Sequence, residues 1–323
     1  MLPTKQSQTF DNSRLSDYKT CPRLYYLRHI RGWRREGSSL ALSFGSAWHA
    51  GLEAIWNNAG SIRTVQLKAA FDAFNETWIE EGLRTDLSLE EQEMISPRTP
   101  GVAHEMFHNY VNARQDLIAN SELLGNEQPF AVPMPGLDDV FYIGKMDKVL
   151  QTPRERIVLE HKTTSLYSIK YGFQPDYVES WNSSSQVKGY EFGATLFFNN
   201  ISGVWIDAAL VHKKIHDKFM LIPIQHSMPL LKEWLTNTRG WIERVQQDTK
   251  TLERTGNLSE TPTFVKNEDS CFGKYGSCPF LDICRSHADA SELANPPHGY
   301  IEERWEPFDV LNIEKLSTTG DKK

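Results

Sequence analysis

The sequence predicts an α/β fold in which a central sheet is flanked by helices. Apolar residues recur at helical spacing through the first third of the chain. Strand-like runs separated by Pro, Gly and Asp follow between residues 128 and 161. Two more strand-like runs and two helical patterns extend to about residue 250. Since 323 residues are enough for one large domain or two smaller ones, these elements fit one α/β domain.

The helices are predicted from apolar spacing and from residues that begin or end a helix. Ser13 or Ser16 would cap the first helix and Gly32 would end it, which places Cys21 on or beside that helix. The further predicted helices cover about residues 43–57, 64–82, 101–120, 181–197 and 228–250. The polar segment 83–100, which contains prolines, is predicted to be a loop.

The strands are predicted from aromatic and β-branched runs bounded by turn residues. They cover about residues 129–134, 140–150, 156–162, 204–212 and 219–224. No stretch of the chain approaches 18 uninterrupted apolar residues, and the first ten residues lack the apolar core of a signal peptide. We therefore expect a cytoplasmic protein without a membrane partner.

The net charge of −7 argues mildly against nucleic acid binding, but the distribution of charge is uneven. Between residues 14 and 35 there are many basic residues and a single acidic one, and aromatic residues lie among them. Such a segment could hold phosphates and stack bases, or it could be a solvated helix face. The basic residues that we consider for DNA binding are Arg14, Lys19, Arg23, Arg28 and Arg31.

The four cysteines are grouped at the two ends of the chain. Cys21 stands alone, whereas Cys271, Cys278 and Cys284 lie close together. In a long chain with so few cysteines, metal ligation is favoured over disulfides. Four thiolates can hold a [4Fe–4S] cluster or a tetrahedral zinc ion, and either would tie the two ends of the chain together.

Two carboxylates and a lysine are predicted to meet on the central sheet. Residues two apart in a strand point to the same face, so Glu160 and Lys162 would project side by side. If the two strands form a hairpin, Asp147 reaches the same place. This set suits phosphodiester cleavage assisted by Mg²⁺ or Mn²⁺. Taken alone the spacing is a weak signal, because a surface Glu–Lys pair on a strand is common.

Three more residues accompany this set. His49 lies on a predicted helix, where it could be a metal ligand or an ordinary structural histidine. Gln186 and Tyr190 are four residues apart and would share one helix face. They could contact the substrate or the attacking water, or they could belong to a half-buried helix.

In their order along the chain these motifs resemble the PD-(D/E)XK nuclease superfamily. Within it the chain is similar to the RecB-like iron–sulfur branch, which includes CRISPR-associated RecB-like exonucleases, the AddB nuclease domain and phage exonucleases. The resemblance implies a restriction-endonuclease-like core with a mixed sheet, a helical N-terminal part and a cluster clasp joining the termini. It implies one nuclease domain over residues 1–323: clasp and basic helix at 13–35 and 265–290, helices at 40–120 and the catalytic core at 126–250.

The resemblance also implies roles for individual residues. His49, Asp147 and Glu160 would bind Mg²⁺ or Mn²⁺, helped by the main-chain carbonyl of His161. Lys162 would be the catalytic lysine, and Gln186 and Tyr190 would lie near the phosphate. The cluster ligands would be Cys21, Cys271, Cys278 and Cys284. Two departures are visible: six residues separate the first two late cysteines where the family usually has two, and Met146 replaces the carboxylate before Asp147.

The resemblance implies a DNA exonuclease on single strands or DNA ends, acting in recombination or repair beside a helicase or recombinase, with an oligomer an open question. No phosphate-binding loop of the G-x4-G-K-[ST] type is present, so we expect no ATP use. One alternative is a non-catalytic DNA-binding accessory protein with a structural iron–sulfur or zinc site. Another is a zinc protease, because His104, Glu105 and His108 match H-E-x-x-H, with Glu127 as an imagined third ligand.

Overall fold

The computed structural model describes residues 2–37, 39–273, 276–307 and 311. Contacts divide the described residues into two compact units. Unit 1 holds those within Met1–Gly37, Ala131–Gly144 and Met228–Ser317, and unit 2 holds those within Ser38–Phe130 and Lys145–Ser227. Strand and helix bounds are given first, and each unit is then described by itself.

The α-helices of the described residues are α1 (Asn12–Thr20), α2 (Pro22–Tyr25), α3 (Leu40–Asn57), α4 (Arg63–Glu80), α5 (Leu89–Ile95), α6 (Pro100–Ala119), α7 (Pro175–Ser180), α8 (Ser185–Phe197), α9 (Met228–Thr255) and α10 (Leu281–Ser286). A π-helix spans Tyr26–Ile30, and 3₁₀ turns span Trp181–Ser183, Glu268–Ser270 and Ala290–Glu292. None of the helices among these residues is both long and apolar enough to cross a membrane.

The strands of the described residues are β1 (Gln8–Phe10), β2 (Trp33–Arg35), β3 (Glu122–Pro133), β4 (Val140–Gln151), β5 (Arg156–Thr164), β6 (Tyr167–Ser168), β7 (Gly172–Phe173), β8 (Ile201–Leu210), β9 (Phe219–Ile224), β10 (Phe272–Gly273), β11 (Gly276–Ser277) and β12 (Tyr300–Glu302). The five strands predicted from the sequence are thereby confirmed, with shifts at their ends.

Three predicted elements differ from the structure for local reasons. The first helix is interrupted at Cys21, because Pro22 disfavours a helical conformation in the residue before it. The predicted loop at 83–100 contains α5, which begins with a capping box between Ser88 and Glu91. The helix expected from residue 181 begins at Ser185, where the Ser184 side chain accepts a hydrogen bond from a main-chain N–H of the first turn.

The sheet is mixed, as predicted. In unit 2, β4 pairs antiparallel with β5, β5 pairs parallel with β8, and β8 pairs antiparallel with β9. β3 pairs with β4. In unit 1, the three residues of β1 pair parallel with Val140–Tyr142 at the start of β4. A parallel β5–β8 connection requires a crossover, and the crossover carries α7 and α8.

Unit 1 packs the start of the chain against a later segment. The rings of Tyr18, Tyr25 and Tyr26 surround the buried ring of Phe264 at centroid distances of 6.5, 6.1 and 5.5 Å. The buried Arg23 donates hydrogen bonds to main-chain carbonyls at residues 258 and 264. Within this unit, the segment that contains Cys21 is therefore fixed beside the segment that leads to the late cysteines.

The core of unit 2 is a layer of α3, α4 and α6 against the sheet. The rings of Trp48 and Phe107 stack with centroids 4.4 Å apart. At Gly51 the helices approach so closely that an added Cβ would lie 2.2 Å from Cζ of Phe107 and 2.9 Å from the main-chain oxygen of Ala70. Only a glycine permits this approach, which holds α3 close to α4 and α6.

Gly51→Ala should therefore destabilise unit 2, because the new methyl group overlaps the Phe107 ring. We expect the free energy of unfolding in urea to fall by about 1–3 kcal/mol. The matched control is Gly240→Ala inside α9, where the added methyl group meets no described atom within 4 Å. That control should gain up to about 1 kcal/mol from helix propensity. If Gly51→Ala were as stable as the wild-type protein, the helices could move apart at this position without loss of free energy, which would contradict the prediction.

Candidate active site

The β4–β5 hairpin brings Asp147 and Glu160 together in unit 2. The paired register runs from Gln151–Arg156 to Lys148–Leu159, so Asp147 and Glu160 follow directly where the ladder ends. There the main-chain N–H of His161 donates a hydrogen bond of 2.7 Å to Oδ2 of Asp147. The Asp147 carboxylate thus replaces a ladder partner and is held against β5.

Glu160 and Lys162 project side by side, as the strand period predicts. Lys162 Nζ lies 2.5 Å from Oε1 of Glu160. The side-chain amide of Gln186 donates to this same Oε1 at 3.5 Å and to the hydroxyl of Tyr190 at 2.8 Å. Helix α8 therefore aligns its Gln186–Tyr190 pair with the Glu160 carboxylate.

His49 reaches the site from α3. Its Nδ1 atom lies 3.3 Å from Oδ2 of Asp147, and 29% of its side-chain surface is exposed. His49 and Asp147 therefore form a contact between two residues that are far apart in the sequence. The structure brings together the predicted set of His49, Asp147, Glu160, Lys162, Gln186 and Tyr190.

The two carboxyl groups differ in their electrostatics. Burial raises the pKa of a carboxyl group, because the charged form loses its solvation. At Asp147 the charge of the adjacent His49 ring outweighs burial and holds the pKa well below its usual range. At Glu160, burial and repulsion from Asp147 raise the pKa to about 7 despite the neighbouring Lys162. At neutral pH the site therefore holds an ionised Asp147 beside a Glu160 carboxyl group that is only partly ionised.

The basic groups respond in the opposite sense. Burial opposes the charged form of Lys162, but Glu160 and Asp147 outweigh burial and raise the pKa of its ammonium. Lys162 is thus positively charged at neutral pH. The pKa of His49 is also raised, because Asp147 outweighs the effect of burial.

These side chains fit a hard divalent cation. Carboxylate oxygens are the ligands that Mg²⁺ and Mn²⁺ prefer. Oε2 of Glu160 is buried and has no hydrogen-bond partner among the described residues, although buried polar atoms normally have one. Across the described part of the chain, no group of three or more His, Cys, Asp or Glu side chains is arranged to hold a metal ion. The ligand set His49, Asp147, Glu160 and the His161 carbonyl stays a prediction.

The four cysteines line the same cavity in unit 1, of ≈ 320 Å³, together with apolar side chains. All four are free thiols. Burial raises the pKa of Cys278 and raises that of Cys284 to about 11, so both are protonated thiols at neutral pH. A bound metal ion would reverse this, because coordination stabilises the thiolate. Among the described residues the cysteines share a cavity but are not arranged to hold a metal ion, so the cluster stays a prediction.

The five basic side chains predicted to contact DNA make contacts inside unit 1 itself. Arg14, Lys19 and Arg31 lie over aromatic rings. Arg28 forms an ion pair with a carboxylate of α1, and Arg23 is buried with only 3% of its surface exposed. Their role in DNA binding stays a prediction, and Arg23 is the least accessible of them.

The H-E-x-x-H motif lies on α6, and the following contacts of its side chains involve none of the residues of the Glu160 site. The rings of His104 and His108 have centroids 4.9 Å apart, and Glu105 contacts a histidine ring nitrogen before β9 at 2.5 Å. Glu127, which the protease alternative requires as a third ligand, pairs with a lysine of β4. Each acidic residue of that alternative is thus already engaged with a basic side chain.

A buried cluster that the sequence did not predict supports the site from the other face of the sheet. Oδ1 of Asp207 accepts hydrogen bonds of 2.6 and 3.1 Å from Arg114, and Oδ2 accepts one of 2.8 Å from the hydroxyl of Tyr110. His161, which pairs with Asp207 in the β5–β8 register, places Nδ1 3.3 Å from Oδ2. The signal in the sequence was one aspartate inside an apolar strand, since a buried charge needs partners.

This cluster fixes the charge states around His161. Burial lowers the pKa of His161 to about 4, so its ring is neutral at neutral pH. Burial would raise the pKa of Asp207, but the neighbouring His161 ring and the charge of Arg114 lower it to about 2. The His161 side chain is therefore held on one face of β5 while Glu160 and Lys162 occupy the other.

Comparison with known proteins agrees with this architecture. The family model of the PD-(D/E)XK nuclease superfamily matches residues 11–285. The chain therefore belongs to the PD-(D/E)XK nuclease superfamily, as predicted. The RecB-like iron–sulfur branch stays a prediction. No curated protein sequence matches the chain.

Two solved structures are similar to this chain, each with a TM-score below 0.5. One is a candidate exonuclease from Eubacterium rectale, with a TM-score of 0.48, 14% identity and coverage of 95% of this chain and 94% of the other. The second is an alkaline exonuclease from Laribacter hongkongensis, with a TM-score of 0.29, 10% identity and coverage of 67% and 97%.

Arg114→Met should strongly destabilise unit 2, because it leaves the Asp207 carboxylate buried without its cation. We expect the free energy of unfolding in urea to fall by about 3–5 kcal/mol. The matched control is Lys68→Met, which removes a cation from the exposed pair with Asp72 and should cost at most about 1 kcal/mol. Equal losses in the two variants would contradict a central role for the Asp207 cluster.

Proposed function

We propose that this member of a nuclease superfamily is a metal-dependent deoxyribonuclease, acting as an exonuclease on single-stranded DNA or DNA ends. The observation that carries the proposal is the convergence of Asp147, Glu160 and Lys162 at the end of the β4–β5 ladder. Nucleases of this superfamily typically use Mg²⁺ or Mn²⁺. The buried, unpartnered Oε2 of Glu160 supports a cation at this place.

In this proposal His49, Asp147 and Glu160 hold the metal ion together with the main-chain carbonyl of His161. A bound ion supplies Lewis-acid polarisation of the phosphodiester and lowers the pKa of a water molecule. The ionised Asp147 carboxylate favours such an ion, and a bound cation would in turn favour the ionised form of Glu160.

The chain's own side chains supply the remaining chemistry. The Lys162 ammonium, held by Glu160, offsets the negative charge that develops on the phosphate during in-line attack. Gln186 and Tyr190 orient the scissile phosphate or the attacking water. Since the Gln186 amide contacts both Glu160 and Tyr190, the position of α8 is tied to that of the catalytic strand.

We further propose that Cys21, Cys271, Cys278 and Cys284 hold a [4Fe–4S] cluster, with zinc as the alternative occupant. Their common cavity in unit 1 supports this assignment. The cluster would join the two ends of the chain beside the basic residues of α1 and α2. Partnership with a helicase or recombinase, oligomer formation, a role in recombination or repair and a cytoplasmic location stay predictions.

Glu160→Gln and Lys162→Met should each lower DNA cleavage by at least about a hundredfold. Glu160→Gln removes the negative charge of a proposed cation ligand, and Lys162→Met removes the charge that stabilises the transition state. The measurement is nucleotide release from end-labelled single-stranded DNA with Mn²⁺ or Mg²⁺, and excess EDTA should abolish it.

The matched control is the double variant His104→Ala and His108→Ala, which removes the H-E-x-x-H histidines and should cleave at the wild-type rate. Cleavage that survives both Glu160→Gln and Lys162→Met would place the active site elsewhere. A wild-type protein that binds DNA but never cleaves it would favour the non-catalytic accessory alternative.

Cys284→Ser should remove iron from the anaerobically purified protein and lower its melting temperature, because a [4Fe–4S] cluster needs four ligands. An iron assay should give about four irons per wild-type chain. The matched control is Ser270→Ala, which changes the same cavity without removing a thiol. Zinc in place of iron would identify the occupant as a structural zinc ion. Absence of both metals from the wild-type protein would refute a metal centre.

A further inference from the structure

A segment rich in aromatic side chains joins the two elements that carry the candidate catalytic residues. We call residues 165–183 the aromatic segment. It begins after the end of β5 at Thr164 and ends before α8 at Ser185. It contains the β6–β7 hairpin, α7 and a 3₁₀ turn, all within unit 2.

The rings of this segment form a continuous series. Tyr167 and Phe173 face each other across the hairpin with centroids 5.6 Å apart. Phe173 then stacks on Tyr177 at 6.4 Å, and Tyr177 meets Trp181 edge-on at 5.7 Å. Each ring supports the next, so the hairpin is braced by the helical part of the segment.

The tip of the hairpin exposes apolar and aromatic surface beside a cation. Ile169 is 85% exposed and Tyr171 is 70% exposed. Nζ of Lys170 lies 4.8 Å from the centroid of the Tyr171 ring. The Tyr171 ring therefore offers solvent-accessible aromatic surface with a lysine ammonium beside it.

The segment is bounded on both sides by elements that carry candidate catalytic residues. Lys162 lies in β5, two residues before its end at Thr164, and Gln186 lies in the first turn of α8. The β6–β7 hairpin therefore lies in the connection between two parts of the candidate active site.

The chemistry of the tip favours an unpaired nucleic acid strand over other occupants. Bases of a single strand expose their π-faces and stack on aromatic side chains, whereas a duplex keeps those faces covered. A lysine beside the ring can neutralise the phosphate that follows a stacked base. The Lys170–Tyr171 pair thus combines an aromatic ring for a base with a cation for a phosphate, which suits the binding of a single strand.

We propose that the aromatic segment is a stacking platform for an unpaired end of the nucleic acid substrate, with a base placed on Tyr171 and its phosphate beside Lys170. This inference rests on the proposed nuclease function and names the part of the chain that selects single strands. Tyr171 binds substrate in this proposal and takes no part in the chemical step.

The test compares Tyr171→Ala with Tyr171→Phe, which keeps the ring. Fluorescence anisotropy would measure binding of a labelled oligothymidylate, and of an abasic strand of equal length, in EDTA so that neither is cleaved. Tyr171→Ala should bind oligothymidylate roughly five- to a hundredfold more weakly, and Tyr171→Phe should bind like wild type. Affinity for the abasic strand should be the same in all three proteins. The matched control is Leu89→Ala, which truncates a side chain 84% exposed in the same unit and should bind like wild type.

Two results would overturn the platform: wild-type affinity of Tyr171→Ala for oligothymidylate, or an equal loss on the abasic strand, which would exclude base stacking. The first result would leave the exposed tip to a protein partner. Cleavage assays judge the nuclease proposal separately. If the wild-type protein never cleaves DNA but Tyr171→Ala still weakens oligothymidylate binding, the nuclease proposal fails and the platform stands. If Glu160→Gln abolishes cleavage while Tyr171→Ala binds normally, the reverse holds.

Discussion

The burial of two neighbouring carboxylates, Asp147 and Glu160, is the constraint on which the rest of the site depends. Like charges in a buried position repel each other and lose their hydration, so each needs compensation. Asp147 obtains it from His49 and from a main-chain N–H, and Glu160 obtains it from Lys162. The elements that carry these partners, α3 and β5, must therefore be held in fixed positions. Among the described residues, Oε2 of Glu160 is buried without a hydrogen-bond partner, and this is the oxygen at which we propose a divalent cation.

The fold meets this requirement by using the two faces of one strand for different tasks. In β5, alternation places Glu160 and Lys162 on the face toward α8 and His161 on the opposite face. There the Asp207–Arg114–Tyr110 cluster ties β5 and β8 to α6. Polar groups are thus buried on both faces of β5. The position of Glu160 and Lys162 on one face depends on the position of β5, which the ionic cluster on the other face secures.

In unit 1, segments that are distant in the sequence are held beside each other. Aromatic packing around Phe264 and the hydrogen bonds of Arg23 hold them without any metal ion. The cysteines lie in segments that are already in contact, so a metal centre there would reinforce an existing arrangement. Several of the basic side chains take part in this packing. Their charges therefore stabilise the fold, whether or not they also bind a ligand.

The sequence by itself determined the α/β class, the positions of the long helices and strands, and the pairing of Glu160 with Lys162, because helix and strand periods are local properties. It also singled out His49, Asp147, Gln186 and Tyr190. Only the tertiary structure decided that His49 contacts Asp147, that Asp147 accepts the N–H of His161, and that Arg114 neutralises Asp207. These contacts join residues far apart in the chain, and no local period encodes them. The aromatic segment was hidden for the same reason: its rings read as ordinary residues between two elements until the fold packed four of them in series and left Tyr171 exposed.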